Sequence, residues 1–140
     1  MSDVTSAPDI RALQIPTDAW TQPFWDATAA GELRLPRCAD CGRFRWPPGP
    51  FCPACRSQNL QWVAPGAARI YSYTLLREPS ETDGTFRVIA PALVEFAGVD
   101  HVRLLAAIVD TPLDEIRIGA GLSVQWARAA DATVPVFRVT

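Results

Sequence analysis

The sequence predicts a mainly β chain in which a short helix and a four-cysteine ribbon precede a small barrel of five strands. Three observations predict this order. The four cysteines form two CxxC pairs in one short segment, and the second half of the chain alternates strand-like segments with turns. The dipeptide Pro65-Gly66 separates the two regions as a strong break. We therefore expect an N-terminal arm over residues 1–20, a helix with a ribbon over 21–64, and a barrel over 65–140.

The first element is expected to be a flexible arm, because Pro8 and Pro16 interrupt any helix there. Residues 22–30 (QPFWDATAA) then predict a short helix, which Thr17-Asp18 or Thr21 can cap. The adjacent aromatics in this helix cannot both face one narrow stripe. One of the two should pack inward, while the other meets the ribbon or another chain.

The second element is a metal ribbon built from Cys38-x-x-Cys41 and Cys52-x-x-Cys55, with ten residues between the pairs. A CxxC turn directs both sulfurs to one point, and two such turns close a tetrahedral sulfur site that suits zinc. Gly42 follows the first pair, where a left-handed backbone is often required. With all four positions filled by protein, the metal is expected to be structural, in a rubredoxin-like ribbon.

Other roles for these cysteines remain open from spacing alone. Disulfides are disfavoured in a cytoplasmic protein, and a redox CxxC would sit in a βαβ pattern that this sequence lacks. Iron can occupy the same ligand set as zinc.

Arg43, Arg45 and Trp46 lie between the two cysteine pairs and are candidate ligand-binding residues. An exposed aromatic beside arginines can stack on an adenine and hold phosphates. The alternative is that Trp46 and Phe51 pack over the metal site while the arginines are solvated.

The third element is the barrel, because residues beyond the break carry β-branched and aromatic runs separated by turns. An antiparallel five-stranded OB barrel fits this pattern best. Pro91 within the second strand implies a bulge or an edge position. The expected strands are 69–76, 86–96, 101–109, 122–128 and 134–139, with a polar loop over 78–84 and a helical turn over 111–116.

The composition leaves few side chains for catalysis. The chain has 140 residues, of which 49% are hydrophobic and 20% charged, and its net charge is −2. All 13 cationic residues are arginines, so a Schiff base on lysine is excluded for this chain alone. His101 is the only histidine, and a lone histidine at a turn is more typical of the surface than of a catalytic base. We expect no catalytic residue in this chain.

Two further motifs carry no function on this reading. The carboxylates of Asp114-Glu115 complement a helix dipole, and Gly119-Ala120-Gly121 lacks the strand and helix of a dinucleotide-binding unit. The N-terminus has no basic and apolar signal regions, and no apolar run is long enough to span a bilayer. These features predict a cytoplasmic protein.

A family resemblance emerges from motifs spread over most of the chain. The matching positions are Phe24-Trp25, Gly31-Glu32-Leu33, Cys38-x-x-Cys41-Gly42, Pro47-Pro48, Cys52-Pro53-x-Cys55, Ile70-Tyr71-Ser72-Tyr73-Thr74, Pro91-Ala92-Leu93-Val94, Ile118-Gly119 and Pro135-Val136-Phe137-Arg138. In order and spacing they resemble the zinc-ribbon/OB-fold acyl-CoA-associated proteins, a family long described as a domain of unknown function.

The resemblance implies an accessory subunit that binds acyl-CoA and pairs with a thiolase-fold enzyme of the lipid-transfer-protein type. The partner then carries the chemistry, which in this family includes thiolysis, condensation, acyl transfer and retro-aldol cleavage of steroid side-chain or fatty CoA esters. On this view Arg43, Arg45 and Trp46 contact CoA, and Phe24 and Trp25 contact the partner.

Two other functions are compatible with the same residues. OB barrels and zinc ribbons also bind single-stranded nucleic acid, but the acidic net charge disfavours that role. A self-sufficient enzyme would need side chains that the sequence does not supply.

Overall fold

The computed structural model describes residues 4–80 and 82–140 of the chain. One helix, α1 (Gln22–Ala29), precedes the strands of this described part. The strands are β1 (Leu35–Cys38), β2 (Leu60–Val63), β3 (Ala68–Tyr73), β4 (Leu76–Pro79), β5 (Phe86–Phe96), β6 (Leu104–Ile108), β7 (Gly121–Arg128) and β8 (Thr133–Val139). A 3₁₀ turn, Leu113–Glu115, lies between β6 and β7. Within these two ranges, no helix combines the length and apolar character needed to cross a bilayer.

Helix α1 begins where the sequence predicts, and an aspartate organises its start. The Asp18 carboxylate accepts backbone hydrogen bonds from Trp20 and Thr21, both at 2.9 Å. Thr21 occupies the cap position, but its hydroxyl accepts from the Asp18 N–H at 3.1 Å and caps no helical N–H. Gly31, at φ +74°, follows the helix, because a left-handed residue reverses the chain without a Cβ clash.

The ribbon rests on the antiparallel pair β1–β2, in register from Leu35 opposite Val63 to Cys38 opposite Leu60. The residues that flank the two cysteine pairs therefore form a small sheet. This pairing fixes Cys38 at the end of a hydrogen-bonded strand, with its side chain buried.

The barrel has the strand order β3-β7-β8-β6-β5-β4, and a further pairing of β3 with β5 closes it. All its strand pairs are antiparallel except β6–β8. The side chains of Ile70, Val94, Ile108 and Phe137 are buried at its centre. This arrangement is the expected OB-type barrel.

One strand departs from the predicted set of five. The segment expected to continue one strand and enter a polar loop instead forms β4, which pairs with the first part of β5. Glu78 lies opposite Arg87 and forms an ion pair with it at 2.7 Å, and the Arg77 guanidinium stacks over Phe86. These cross-strand pairs stabilise an extension that the polar composition concealed.

The expectation that Pro91 marks a bulge or an edge strand is wrong. Pro91 lies inside β5 and pairs in regular register with Ala107 of β6. Its carbonyl faces the other side, where it accepts from Thr74 at 3.0 Å, beyond the end of β3 and before β4 begins. Because Thr74 lies outside both strands, the missing N–H of Pro91 removes no hydrogen bond from a strand pairing.

The described part of the N-terminal arm is hydrogen-bonded to the barrel. Thr5 is buried and donates its N–H to the Thr111 carbonyl at 2.9 Å, and Ser6 donates to Val88 at 2.8 Å. Ala130 also donates to the Leu13 carbonyl at 3.0 Å. This pairing differs from a free arm, because prolines exclude a helix but leave extended backbone groups able to bond.

Ribbon and barrel are joined by residues 64–67, which include the expected break. Gly66 donates to the Ala97 carbonyl at 3.1 Å, and the Ala97 N–H donates to Ala67 at 2.9 Å. A Cβ on Gly66 would lie only 2.5 Å from the Ala97 oxygen, so the chain passes too closely for a side chain. The division into domains at residue 65 stays a prediction.

Candidate metal centre

The four cysteines lie on two turns of the same construction. Gly42 donates to the Cys38 carbonyl at 2.9 Å, and Arg56 donates to the Cys52 carbonyl at 2.8 Å. A second hydrogen bond closes each turn. The Cys38 N–H donates to the Arg43 carbonyl and the Cys52 N–H to the Ser57 carbonyl, both at 2.8 Å. The ribbon thus presents its cysteines as a pair of equivalent knuckles.

Both knuckles close through a left-handed residue. Gly42 has φ +80°, as the sequence predicts, and Arg56 has φ +64° at the equivalent place. The second value had no sequence signal, because arginine shows no preference for this conformation. The geometry of the turn, more than the residue type, requires it.

The sulfur atoms converge as a single metal ion requires. The Sγ atoms of Cys38 and Cys55 are 3.6 Å apart, those of Cys41 and Cys52 are 3.5 Å apart, and all four lie within 4.8 Å of one another. Zinc–sulfur bonds of about 2.3 Å place tetrahedral sulfurs about 3.8 Å apart. Cys38 and Cys52 are buried, whereas Cys41 and Cys55 are exposed. The donor set and spacing fit one zinc ion, which would hold the knuckles together and leave no position for substrate.

A carboxylate braces the two knuckles from outside. Asp40, within the first CxxC, accepts hydrogen bonds from the Ser57 hydroxyl and, at 3.0 Å, from the Asn59 amide, both beyond the second CxxC. These bonds hold the pKa of Asp40 below its usual range. The brace therefore remains ionised at neutral pH and links residues that spacing alone did not connect.

Without metal, the sulfurs cannot all carry charge. The N–H of Cys55 donates to Cys52 and is the main cause that lowers the pKa of Cys52 to about 6. The N–H of Ser57 favours the Cys55 thiolate, yet burial and the neighbouring sulfurs raise the pKa of Cys55 to about 12. A divalent cation removes this opposition, so metal binding should release protons.

The three residues predicted to bind CoA are placed differently from one another. Arg43 is exposed and lines a cleft of about 260 Å³ between the first knuckle and the turn at His101. Arg45 is only 7% exposed and donates from Nη2 to the Gly49 carbonyl at 2.7 Å. Trp46 is half-buried, with its ring centroid 4.9 Å from that of Phe24. Only Arg43 presents a free charged side chain.

The two aromatics of the packing alternative differ in burial. Trp46 packs against the core, whereas Phe51 is 56% exposed, and packing of either ring over the metal site stays a prediction. The Arg45 Nε and Nη1 atoms are buried with no hydrogen-bond partner in the described part of the chain, so this arginine is not a solvated one.

The two predicted partner contacts also separate. Phe24 is 3% exposed and belongs to the core, where it packs edge-on against Trp25 and Trp46. Trp25 is half-buried and keeps part of its surface outside. Phe24 is thus the aromatic that packs inward, and of the pair only Trp25 is available to another chain.

Comparison with known proteins identifies both regions. Residues 25–61 match the family model described as "ChsH2, rubredoxin-like zinc ribbon domain", and residues 62–127 match "ChsH2, C-terminal OB-fold domain". The first match agrees with the cysteine geometry and confirms the prediction of a structural zinc site. The second confirms the expected OB barrel.

Individual relatives extend this likeness. A chain of the "Ltp2-ChsH2(DUF35) aldolase" is 30% identical with a TM-score of 0.76, and the match covers 90% of this chain and 98% of that one. A Sulfolobus solfataricus protein of unknown function from the DUF35 family shares the fold, with 18% identity and a TM-score of 0.65 over 89% of this chain and 87% of that one.

A longer relative is the "Probable enoyl-CoA hydratase alpha subunit" of Thermomonospora curvata, which is 36% identical over 118 residues. That match covers 82% of this chain but only 36% of the relative. The chain therefore spans about a third of that protein's length.

Proposed function

The chain belongs to the ChsH2-type family of DUF35 proteins, in which a zinc ribbon precedes an OB-fold domain, and from this premise we propose that it is a non-catalytic accessory subunit. Its partner is a thiolase-fold enzyme of the lipid-transfer-protein type that acts on the carbon–carbon bonds of acyl-CoA esters. The ribbon and barrel bind that enzyme and contribute to holding the CoA ester.

One observation carries the proposal. The match to a chain of the Ltp2-ChsH2(DUF35) aldolase covers almost the full length of both chains, ribbon and barrel together. A chain that keeps the complete architecture of a complex-forming subunit supports the same mode of action here. The Thermomonospora curvata relative is likewise named as a subunit, although of a hydratase.

The chemistry of the chain supports a division of labour. The sequence contains no lysine and one histidine, and all four thiols are within reach of a single metal ion. His101 lies exposed in a turn, at φ +68°. Bond making in a CoA ester needs a nucleophile or base held in a water-excluded site, which is the part we assign to the partner.

Arg43 is the residue that we assign to the CoA phosphates. It is exposed at the mouth of the cleft between ribbon and barrel, where Gly98 and Asp100 form the opposite wall. An arginine in such a cleft can make paired, charge-assisted bonds to a phosphate. Arg45 acts indirectly, because its guanidinium donates to the Gly49 carbonyl and so holds the loop that contains Pro47, Pro48 and Pro50.

The test of the subunit assignment is native purification of the tagged chain, followed by mass spectrometry of the proteins that remain bound. We expect a thiolase-fold protein in stoichiometric amount, acyl-CoA turnover by the complex, and none by the isolated chain. If the purified partner is fully active without this chain, the proposed role is wrong.

The test of the CoA contact is Arg43→Ala in the reconstituted complex. We expect KM for the acyl-CoA to rise about tenfold, as for a lost charged hydrogen bond, with little change in kcat. Arg117→Ala, at another exposed arginine, is the matched control. Equal KM values for the two variants contradict the assignment of Arg43.

A further inference from the structure

One face of the barrel carries an apolar ladder on its outer side. Along β5 the buried residues alternate with Pro91 and Leu93, which therefore point away from the barrel interior. Leu93 lies opposite Leu105 of β6, and Pro91 lies opposite Ala107. We call these four residues, together with Tyr71 on the adjoining strand β3, the β5–β6 outer face.

Within the described residues this face is only partly covered, since Pro91, Leu93 and Ala107 are half-buried and its other two members are exposed. Leu105 is 74% exposed in the middle of a strand, and Tyr71 is exposed as well. Helix α1 packs against β8, and the arm pairs with Val88 and with Thr111, so neither covers Leu105. An outward strand position normally carries a polar residue, and a contiguous apolar strip marks an interaction surface.

Cationic groups border the face. The Arg103 guanidinium lies 3.7 Å from the centroid of the Tyr71 ring, and within the described residues no carboxylate pairs with it. Arg69, on the same strand as Tyr71, is paired with Glu95 at 2.5 Å. The unpaired charge at the rim is therefore positive, and tyrosine with arginine is the composition typical of interface anchors.

We propose that the β5–β6 outer face is the surface that docks the enzyme subunit, whose complementary patch is apolar with a carboxylate opposite Arg103. This inference rests on the proposed function, since it names where that partner binds. A second copy of the chain is the less suitable occupant. Symmetric self-docking would bring two unpaired Arg103 side chains to one interface, whereas an acidic partner neutralises the charge.

The experiment uses the thiolase-fold subunit recovered with the wild-type chain, expressed separately, and titrates each variant against it by calorimetry. Leu105→Glu should raise Kd by about 30-fold or more, as for the loss of a buried interface anchor. Arg103→Ala should raise Kd about tenfold and make Kd less dependent on salt concentration. The matched control is Leu13→Glu in the arm, a leucine that is 50% exposed. It should leave Kd within about twofold.

The outcomes separate this inference from the function on which it rests. Unchanged melting temperatures and zinc contents would show that the variants are folded. We expect this result because the side chains of Leu105 and Arg103 are exposed. A tight wild-type complex that Leu105→Glu leaves intact overturns the surface but keeps the proposed function. No wild-type complex overturns both. A dimer of the chain alone that Leu105→Glu dissociates assigns the face to a second copy and also overturns the inference.

Discussion

Replacement of Phe24 by alanine separates the two roles that the adjacent aromatics of α1 could play. Phe24 is buried, and its ring meets those of Trp25 and Trp46 at 4.9 Å each. Truncation of a buried phenylalanine costs about 3–5 kcal/mol, and each aromatic pair adds about 0.5–1.5 kcal/mol beyond area burial. We therefore expect Phe24→Ala to lie in the upper half of that range.

The expected loss is measurable as a shift in melting temperature. At about 4 °C per kcal/mol for a chain of this size, a loss in the upper half of that range, about 4–5 kcal/mol, lowers Tm by roughly 16–20 °C. The assay is thermal unfolding with zinc in excess, together with metal analysis of the purified variant. Phe24→Leu, which keeps most of the apolar volume, should lower Tm by less than half as much.

Trp25→Ala tests the other role. Because Trp25 is half-buried, we expect a smaller Tm loss, unchanged zinc content and weaker binding of the enzyme subunit. Normal partner binding by Trp25→Ala would show that Trp25 is not part of the interface.

A Phe24→Ala variant that melts within about 3 °C of the wild type would refute the assignment of Phe24 to the core.

Three other perturbations test the metal site, the helix start and the linker. Cys38→Ser should abolish stoichiometric zinc binding and unfold the ribbon, because metal binding and folding are coupled; metal analysis and amide exchange of the β1–β2 pair check this, and retained zinc contradicts it. Asp18→Ala should lower Tm at pH 7, because the Asp18 carboxylate accepts N–H bonds from Trp20 and Thr21, immediately before α1, and its pKa is lowered chiefly by the bond from Thr21. A lowered pKa stabilises the fold above the ordinary carboxylate range and less as pH falls through the lowered value, so the Tm difference should shrink by pH 3, whereas a constant difference rules out a charge effect. Gly66→Ala should lower the free energy of unfolding, measured by chemical denaturation, by about 1–3 kcal/mol, since its Cβ would lie 2.5 Å from the Ala97 carbonyl oxygen. The control is Gly49→Ala, because the space around that Cβ is open. Equal stability of the two variants excludes the steric explanation.

The amino-acid sequence alone determined the metal centre, because a CxxC spacing is a local property of the chain. Cys38, Cys41, Cys52 and Cys55 were identifiable as ligands without knowledge of any distant contact, and the left-handed turn at Gly42 was equally local. The main strands were also readable, since alternation of apolar and polar residues records which side of a strand faces the core.

Tertiary contacts decided which exposed-looking side chains are free. Spacing could not distinguish Phe24 from Trp25, because adjacent helical positions differ only in which neighbour they meet. Arg45 and Arg43 are equivalent in sequence, yet one is buried against the Gly49 carbonyl and the other lines an open cleft. The cleft at Arg43 is lined by Gly98 and Asp100, residues far along the chain that a local pattern does not record.

Long-range pairing decided the remaining features of the fold and the proposed docking face. The arm bonds to Thr111, more than a hundred residues away, and β4 forms only because β5 offers complementary side chains. Leu105 reads from sequence as an ordinary strand residue. Its exposure, and its place in the ladder with Leu93, follow from the register of β5 with β6 and from the packing of α1 on β8. Local chemistry therefore specified the zinc ligands, whereas the surfaces proposed to contact other molecules arise only when distant segments fold together.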